Sequence, residues 1–151
     1  MSDVISLPPD IEEKLYAHGA LGREAMEAGD IAAAEAHFLD AWACIPDPKL
    51  GHDHAASMAV ALTGFYRDAG RIDQAGKWLA IAREAYGPDP DPDTEFLAAT
   101  VHFAAGEEDE AFDIFDALYR QYRKRPFQEE DPRYLDFYLV RAARRKSRPV
   151  A

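Results

Sequence analysis

Few side chains in this 151-residue chain have the type and spacing that chemistry requires. His52, Asp53 and His54 stand together, and two imidazoles flanking a carboxylate suit a transition metal. A third ligand at helical spacing is missing, so the triplet reads as a loop leading into a helix. Asp89, Asp91 and Asp93 alternate like the opening of a calcium loop. Thr94 replaces the glycine of such a loop, Thr100 replaces its bidentate glutamate, and Pro90 and Pro92 stiffen it. Calcium is not expected. Cys44 lies among apolar residues, which suits a small buried side chain better than a nucleophile. The sequence has no Gly-rich phosphate loop, no HExxH and no paired cysteines for zinc. The expectation is therefore a non-enzyme, with no catalytic residue, cofactor or metal.

Charge says more. The 17 Lys/Arg and 28 Asp/Glu give a net charge of −11. Residues 1–119 hold 7 basic against 24 acidic side chains, a net of −17, and residues 120–151 hold 10 against 4, a net of +6. Most of this surface repels nucleic acid. It would draw a basic protein partner and speed its association. Glu107–Glu110 fits the first turn of a helix, where carboxylates are stabilised by the helix dipole. The basic stretches Arg123–Arg125 and Arg141–Arg148 read as solvated helix faces and helix ends, so no nucleic-acid partner is expected. No apolar run reaches the roughly 18 residues of a membrane span, so no membrane association is expected. The opening MSDVISLPPD has neither a basic region nor a long apolar core, unlike a secretory signal. One cysteine allows no internal disulfide, and the expected compartment is the cytoplasm.

The elements that position these residues are organised around Gly29–Pro46, GDIAAAEAHFLDAWACIP. A Gly-Asp turn opens a helix with Ala34, Phe38 and Ala41 on one stripe, and proline closes it. The frame recurs from Gly70 with Ala75, Leu79 and Ala82, and from Gly106 with Ala111, Phe115 and Leu118. The glycines are 41 and 36 residues apart, the period of a helical repeat array. Small residues precede each glycine at Gly22, Thr63 and Ala99, so paired helices can approach closely. Asp10 with Glu13 reads as a capping box for the first helix. Asp93 or Thr94 is expected to cap the fifth helix, after a proline-rich stretch that cannot be helical. Asp131 and Pro132 are expected to open the last. Trp42 and Trp78, both on second helices of a pair, are expected between helices.

These placements resemble the tetratricopeptide repeat. Leu21-Gly22, Ala34, Phe38, Ala41 and Pro46 carry the likeness in the first repeat, and Leu62, Tyr66, Gly70, Ala75, Leu79 and Ala82 in the second. The third has Ala98, His102 and Arg123 where Leu, Tyr and Pro are usual. The resemblance implies an all-α fold, a right-handed superhelical stack of three helical hairpins plus a C-terminal capping helix. The repeats would span about residues 15–48, 55–88 and 92–125, with the cap at about 132–146, in a single domain over 1–151.

In that fold the first helix of each pair lines a concave groove where partners lie. Here the groove would show Tyr16, Arg23, Met26 and Glu27, then Val60, Arg67 and Asp68, then Phe96, Thr100 and Phe103. Phe96, Phe103, Met26 and Arg23 are the expected anchors, since such residues are enriched at interface cores. The alternative for the two phenylalanines is packing against Tyr134, Phe137 and Tyr138 of the last helix. The Lys/Asn carboxylate clamp of chaperone-binding members is replaced by Gly19, Arg23, Val60 and Gly64. AWACIPDPK and FQEEDPRYLDFYL resemble segments of small stand-alone bacterial repeat proteins, which are often encoded beside polymorphic toxins. The implied function is a non-catalytic protein-binding module, most specifically an immunity-like protein that neutralises a basic toxin. A self-associating or peptide-binding scaffold or regulatory adaptor is the alternative, and the oligomeric state stays open.

Overall fold

The computed structural model describes residues 4–147. They are all-α, with helices α1 (Pro9–Glu27), α2 (Ile31–Ala43), α3 (Ala55–Asp68), α4 (Ile72–Tyr86), α5 (Pro92–Ala104), α6 (Glu108–Tyr122) and α7 (Pro132–Ser147). No strand forms among the described residues, and a lone parallel bridge joins Ile5 to His52. The chain divides into two compact units between Pro88 and Asp89.

The glycine frame has a single physical cause. After α1, Gly29 N–H donates to the carbonyl of Met26 at 3.0 Å, and Asp30 N–H to that of Ala25 at 2.8 Å. Gly70 and Arg71 repeat these two bonds on Arg67 and Tyr66, and Gly106 and Glu107 repeat them on Phe103 and His102. Each glycine sits in the left-handed region, with φ of 79°, 77° and 79°. This is a Schellman turn, which satisfies the last carbonyls of one helix and leaves the next residue to start the following one. Asp30 does so with its side chain, accepting from Ala33 N–H at 3.0 Å.

In the first unit, α1 packs on α2 and α3 packs on α4. Ala34, Ala41, Ala75 and Ala82 are fully enclosed, which brings the paired backbones close. The approach is tightest at Gly22, where an added Cβ would stand 2.5 Å from the Phe38 ring. Trp42 of α2 and Trp78 of α4 meet edge to face, with centroids 5.0 Å apart. Ahead of α1, Ile5 N–H donates to Gly51 carbonyl and Asp53 N–H to Ile5 carbonyl, while Leu7 N–H donates to the Asp53 carboxylate. These bonds seat Leu7 in a cluster with Leu15, Ala41, Ile45 and Ala55.

The second unit is one hairpin, α5 with α6, and a further helix, α7. Its core gathers Phe96, Phe112, Phe115, Phe127, Tyr134 and Tyr138. Two expected starts differ. α1 begins at Pro9 without a side-chain cap, so Asp10 and Glu13 form no capping box. α5 begins two to three residues early, at Pro92, capped by Asp91 rather than Asp93 or Thr94. In both, a proline with its preset φ and no N–H to satisfy takes the first helical position. α7 starts as expected, with the Asp131 carboxylate accepting from Arg133 N–H at 3.0 Å.

Candidate functional site

The helical period places Tyr16, Arg23 and Glu27 along one line of α1, with Met26 beside them. Tyr16 keeps 53% and Met26 43% of its surface exposed, and Arg23 and Glu27 are exposed as well. Tyr16 stands edge-on to the His54 ring, centroids 5.4 Å apart. On α3, Arg67 is half-buried and pairs with the exposed Asp68 at 2.9 Å. Two glycines lie beside the arginines. A Cβ on Gly19 would touch the Arg23 guanidinium at 3.5 Å, and one on Gly64 that of Arg67 at 3.7 Å. The first unit therefore presents Tyr16, Arg23, Met26, Glu27 and Asp68 to solvent, with Arg67 half-buried behind them.

The second unit does not present its three candidates in that way. Phe96 is 4% and Thr100 1% exposed, so neither can anchor a partner from these positions. Phe96 packs on Phe115, Phe127 and Tyr134 at centroid distances of 5.2, 5.1 and 5.9 Å. Thr100 donates its hydroxyl back to the Leu97 carbonyl at 2.7 Å. Phe103 is half-buried between Tyr134 and Phe137 of α7. Of the expected partner surface, the two phenylalanines of α5 are covered by the last helix, α7.

Charges at the second unit are likewise used internally. Arg141 of α7 pairs with Asp109, and more loosely with Glu108, in the first turn of α6. Arg145 lies over the Phe112 ring at 4.2 Å and faces Asp113 at 3.9 Å. The acidic run at the start of α6 and part of the basic C-terminal stretch thus face each other. Tyr138 donates to Asp116 at 2.7 Å, and burial, with that bond, pushes its phenol up to about 12. In the first unit, Glu35 of α2 accepts from Tyr66 at 2.7 Å and from Arg71 at 2.8 Å. The Tyr66 bond and then the Arg71 bond hold the Glu35 carboxyl below its ordinary range.

Among the described residues, two groups of side chains bring three metal-ligating atoms within 4.8 Å of one another. One contains part of the expected triplet: Asp53 and His54 are joined by Glu12 of α1, the ligand that spacing along the chain did not provide. His52 is not in it; its Nδ1 bonds to the Pro48 carbonyl at 2.9 Å. The members of this group already have partners. His54 Nε2 lies 3.1 Å from Glu12 and 3.4 Å from the Tyr16 hydroxyl, and Asp53 accepts from Leu7 N–H. The second group, His18 of α1 with His37 and Asp40 of α2, was not found from the sequence. His37 and Asp40 stand three apart and share a face of α2, which was legible. That His18 meets them depends on the hairpin register, fixed where Gly22 abuts Phe38. No family model, curated protein or solved structure matches the chain.

Proposed function

We propose that the chain is a non-catalytic protein-binding module built of tetratricopeptide-like helical hairpins, and that its partner is a basic protein. The observation that carries this reading is the exposed face of α1. Tyr16 and Met26 offer apolar contact there, while Arg23, Glu24 and Glu27 surround them with charge. Aromatic residues and methionine are what protein interfaces gather at their centres. The excess of carboxylates over residues 1–119 supplies the attraction, and its effect falls mainly on the rate of encounter. An immunity-like antagonist that binds and blocks a basic toxin is the specific form we favour, since its target would need speed and a complementary charge. A self-associating scaffold is the second reading, favoured by Leu139 and Val140, which remain exposed on α7.

Affinity capture with tagged protein from its own cell lysate, at about 50 and 500 mM salt, tests the reading. A basic protein retained at low salt, released at high salt, and weakened at least tenfold by Tyr16→Ala or Met26→Ala is the expected result. A partner whose retention ignores both salt and those substitutions would refute the α1 face. A concentration-dependent dimer abolished by Val140→Glu, with nothing captured, would establish the scaffold instead.

A further inference from the structure

We propose that His18, His37 and Asp40 form a binding site for a divalent transition-metal ion, zinc being the ion that the donor set fits best. The three side chains converge across the first hairpin, one ligand atom of each within 4.8 Å of the other two. The imidazoles of His18 and His37 lie nearly parallel, at 30° with centroids 6.4 Å apart. The Nδ1 atoms of both are buried and have no hydrogen-bond partner among the described residues. Buried polar atoms in folded proteins are nearly always satisfied, so two orphaned ring nitrogens on histidines clustered with a carboxylate call for an explanation. An ion accepting a lone pair from each ring provides one. The other group, Glu12, Asp53 and His54, lacks this feature, because its polar atoms already serve one another and the backbone of Leu7.

The chemistry selects the ion class. Two neutral imidazoles with one carboxylate suit zinc and its neighbours, whereas calcium and magnesium take oxygen shells. Zinc holds nitrogen and oxygen donors at about 2.0–2.2 Å, which sets tetrahedral ligand atoms about 3.4 Å apart. Closing from 4.8 Å requires movements of about 1 Å, within reach of small side-chain rotations. Asp40 is exposed and free to swing, while the half-buried histidines supply the fixed part. Three protein ligands leave a fourth position, which water would fill on the solvent side at Asp40. Such an ion would bridge α1 to α2 and reinforce the hairpin closed by Gly29.

The test is a zinc titration of tag-free full-length chain at neutral pH against a chromophoric chelator, with cobalt as a spectroscopic probe. Expected are one ion per chain, a dissociation constant in the micromolar range or tighter, and visible cobalt bands of tetrahedral intensity. His18→Gln and His37→Gln should each weaken binding at least tenfold. Asp40→Asn, which alters only an exposed side chain and leaves the fold intact, should weaken it severalfold and change the cobalt spectrum. His54→Gln should leave binding unchanged, and saturating zinc should raise the melting temperature of the parent but not of His37→Gln. Absence of saturable binding would overturn the proposal. So would binding lost on His54→Gln and retained in Asp40→Asn, which would assign the ion to the other group.

Discussion

Glu35 illustrates how much one carboxylate organises. It sits on α2, yet its two partners, Tyr66 and Arg71, lie at the end of α3 and the start of α4. It therefore ties one hairpin of the first unit to the next through hydrogen bonds to a charged acceptor, of the stronger kind. The Tyr66 bond first, then Arg71, lowers its pKa below the ordinary 4.5. In the unfolded chain the carboxyl takes up a proton more readily, so its contribution is present above about pH 4.5 and is lost as pH falls through the folded value. Tyr66 gives the alkaline counterpart. Burial, with the Glu35 bond, pushes its phenol from 10 to about 12, so stability drops as pH rises between those values. Glu35→Gln should cost about 1–3 kcal/mol at pH 7 and flatten the acid limb. Tyr66→Phe should flatten the alkaline one. Urea midpoints from pH 3 to 11 measure both, and an unchanged acid limb in Glu35→Gln would show that other carboxylates set it.

At the scale of elements, the close approach of α1 and α2 rests on Gly22. A methyl group there would collide with the Phe38 ring at 2.5 Å, and Phe38 is itself buried in the first unit. Gly22→Ala should therefore destabilise by about 1–3 kcal/mol through overpacking, although alanine is the better helix former. Gly76 is the control, exposed within α4 with no atom within 4 Å of an added Cβ. Gly76→Ala should stabilise by about 0.5–1 kcal/mol. Thermal melts of the two variants should shift in opposite directions; two shifts of the same sign would contradict the packing argument. This contrast also marks what the sequence reveals. The turns at Gly29, Gly70 and Gly106 were legible because a Schellman turn is local, and so were the enclosed alanines that follow them. The helix starts at Pro9 and Pro92 were misplaced because each proline takes the first helical position, which puts the cap at Pro8 without a side-chain bond in α1 and at Asp91 in α5. Phe96 and Phe103 could be assigned to one helix face, but what covers that face is a tertiary fact supplied by Tyr134 and Phe137. His18 and His37 required the register across the turn, which no spacing within one helix contains.

At the scale of the whole molecule, the two compact units carry different rings. Trp42 and Trp78, the only tryptophans in the chain, both belong to the first unit and touch each other. The second unit has none, and its core is phenylalanine and tyrosine, with Phe115 fully enclosed. Tryptophan fluorescence therefore reports the first unit, whereas helical circular dichroism reports both. Phe115→Ala removes a ring that contacts Phe96, Phe127, Tyr134 and Phe137, and should cost about 3–5 kcal/mol, as such cavities do. Because that loss falls on the second unit, the dichroism melt should move down by more than the fluorescence melt, with part of the helix lost before the indoles change. Identical shifts by both probes would mean that the chain unfolds as one cooperative domain, the organisation expected from its repeats. The outcome also bears on binding. If the fluorescence transition holds while the second unit loosens, Phe115→Ala should retain the partner recognised through Tyr16 and Met26 at temperatures where α5 to α7 have already melted. A partner lost together with the second unit would place recognition outside the α1 face.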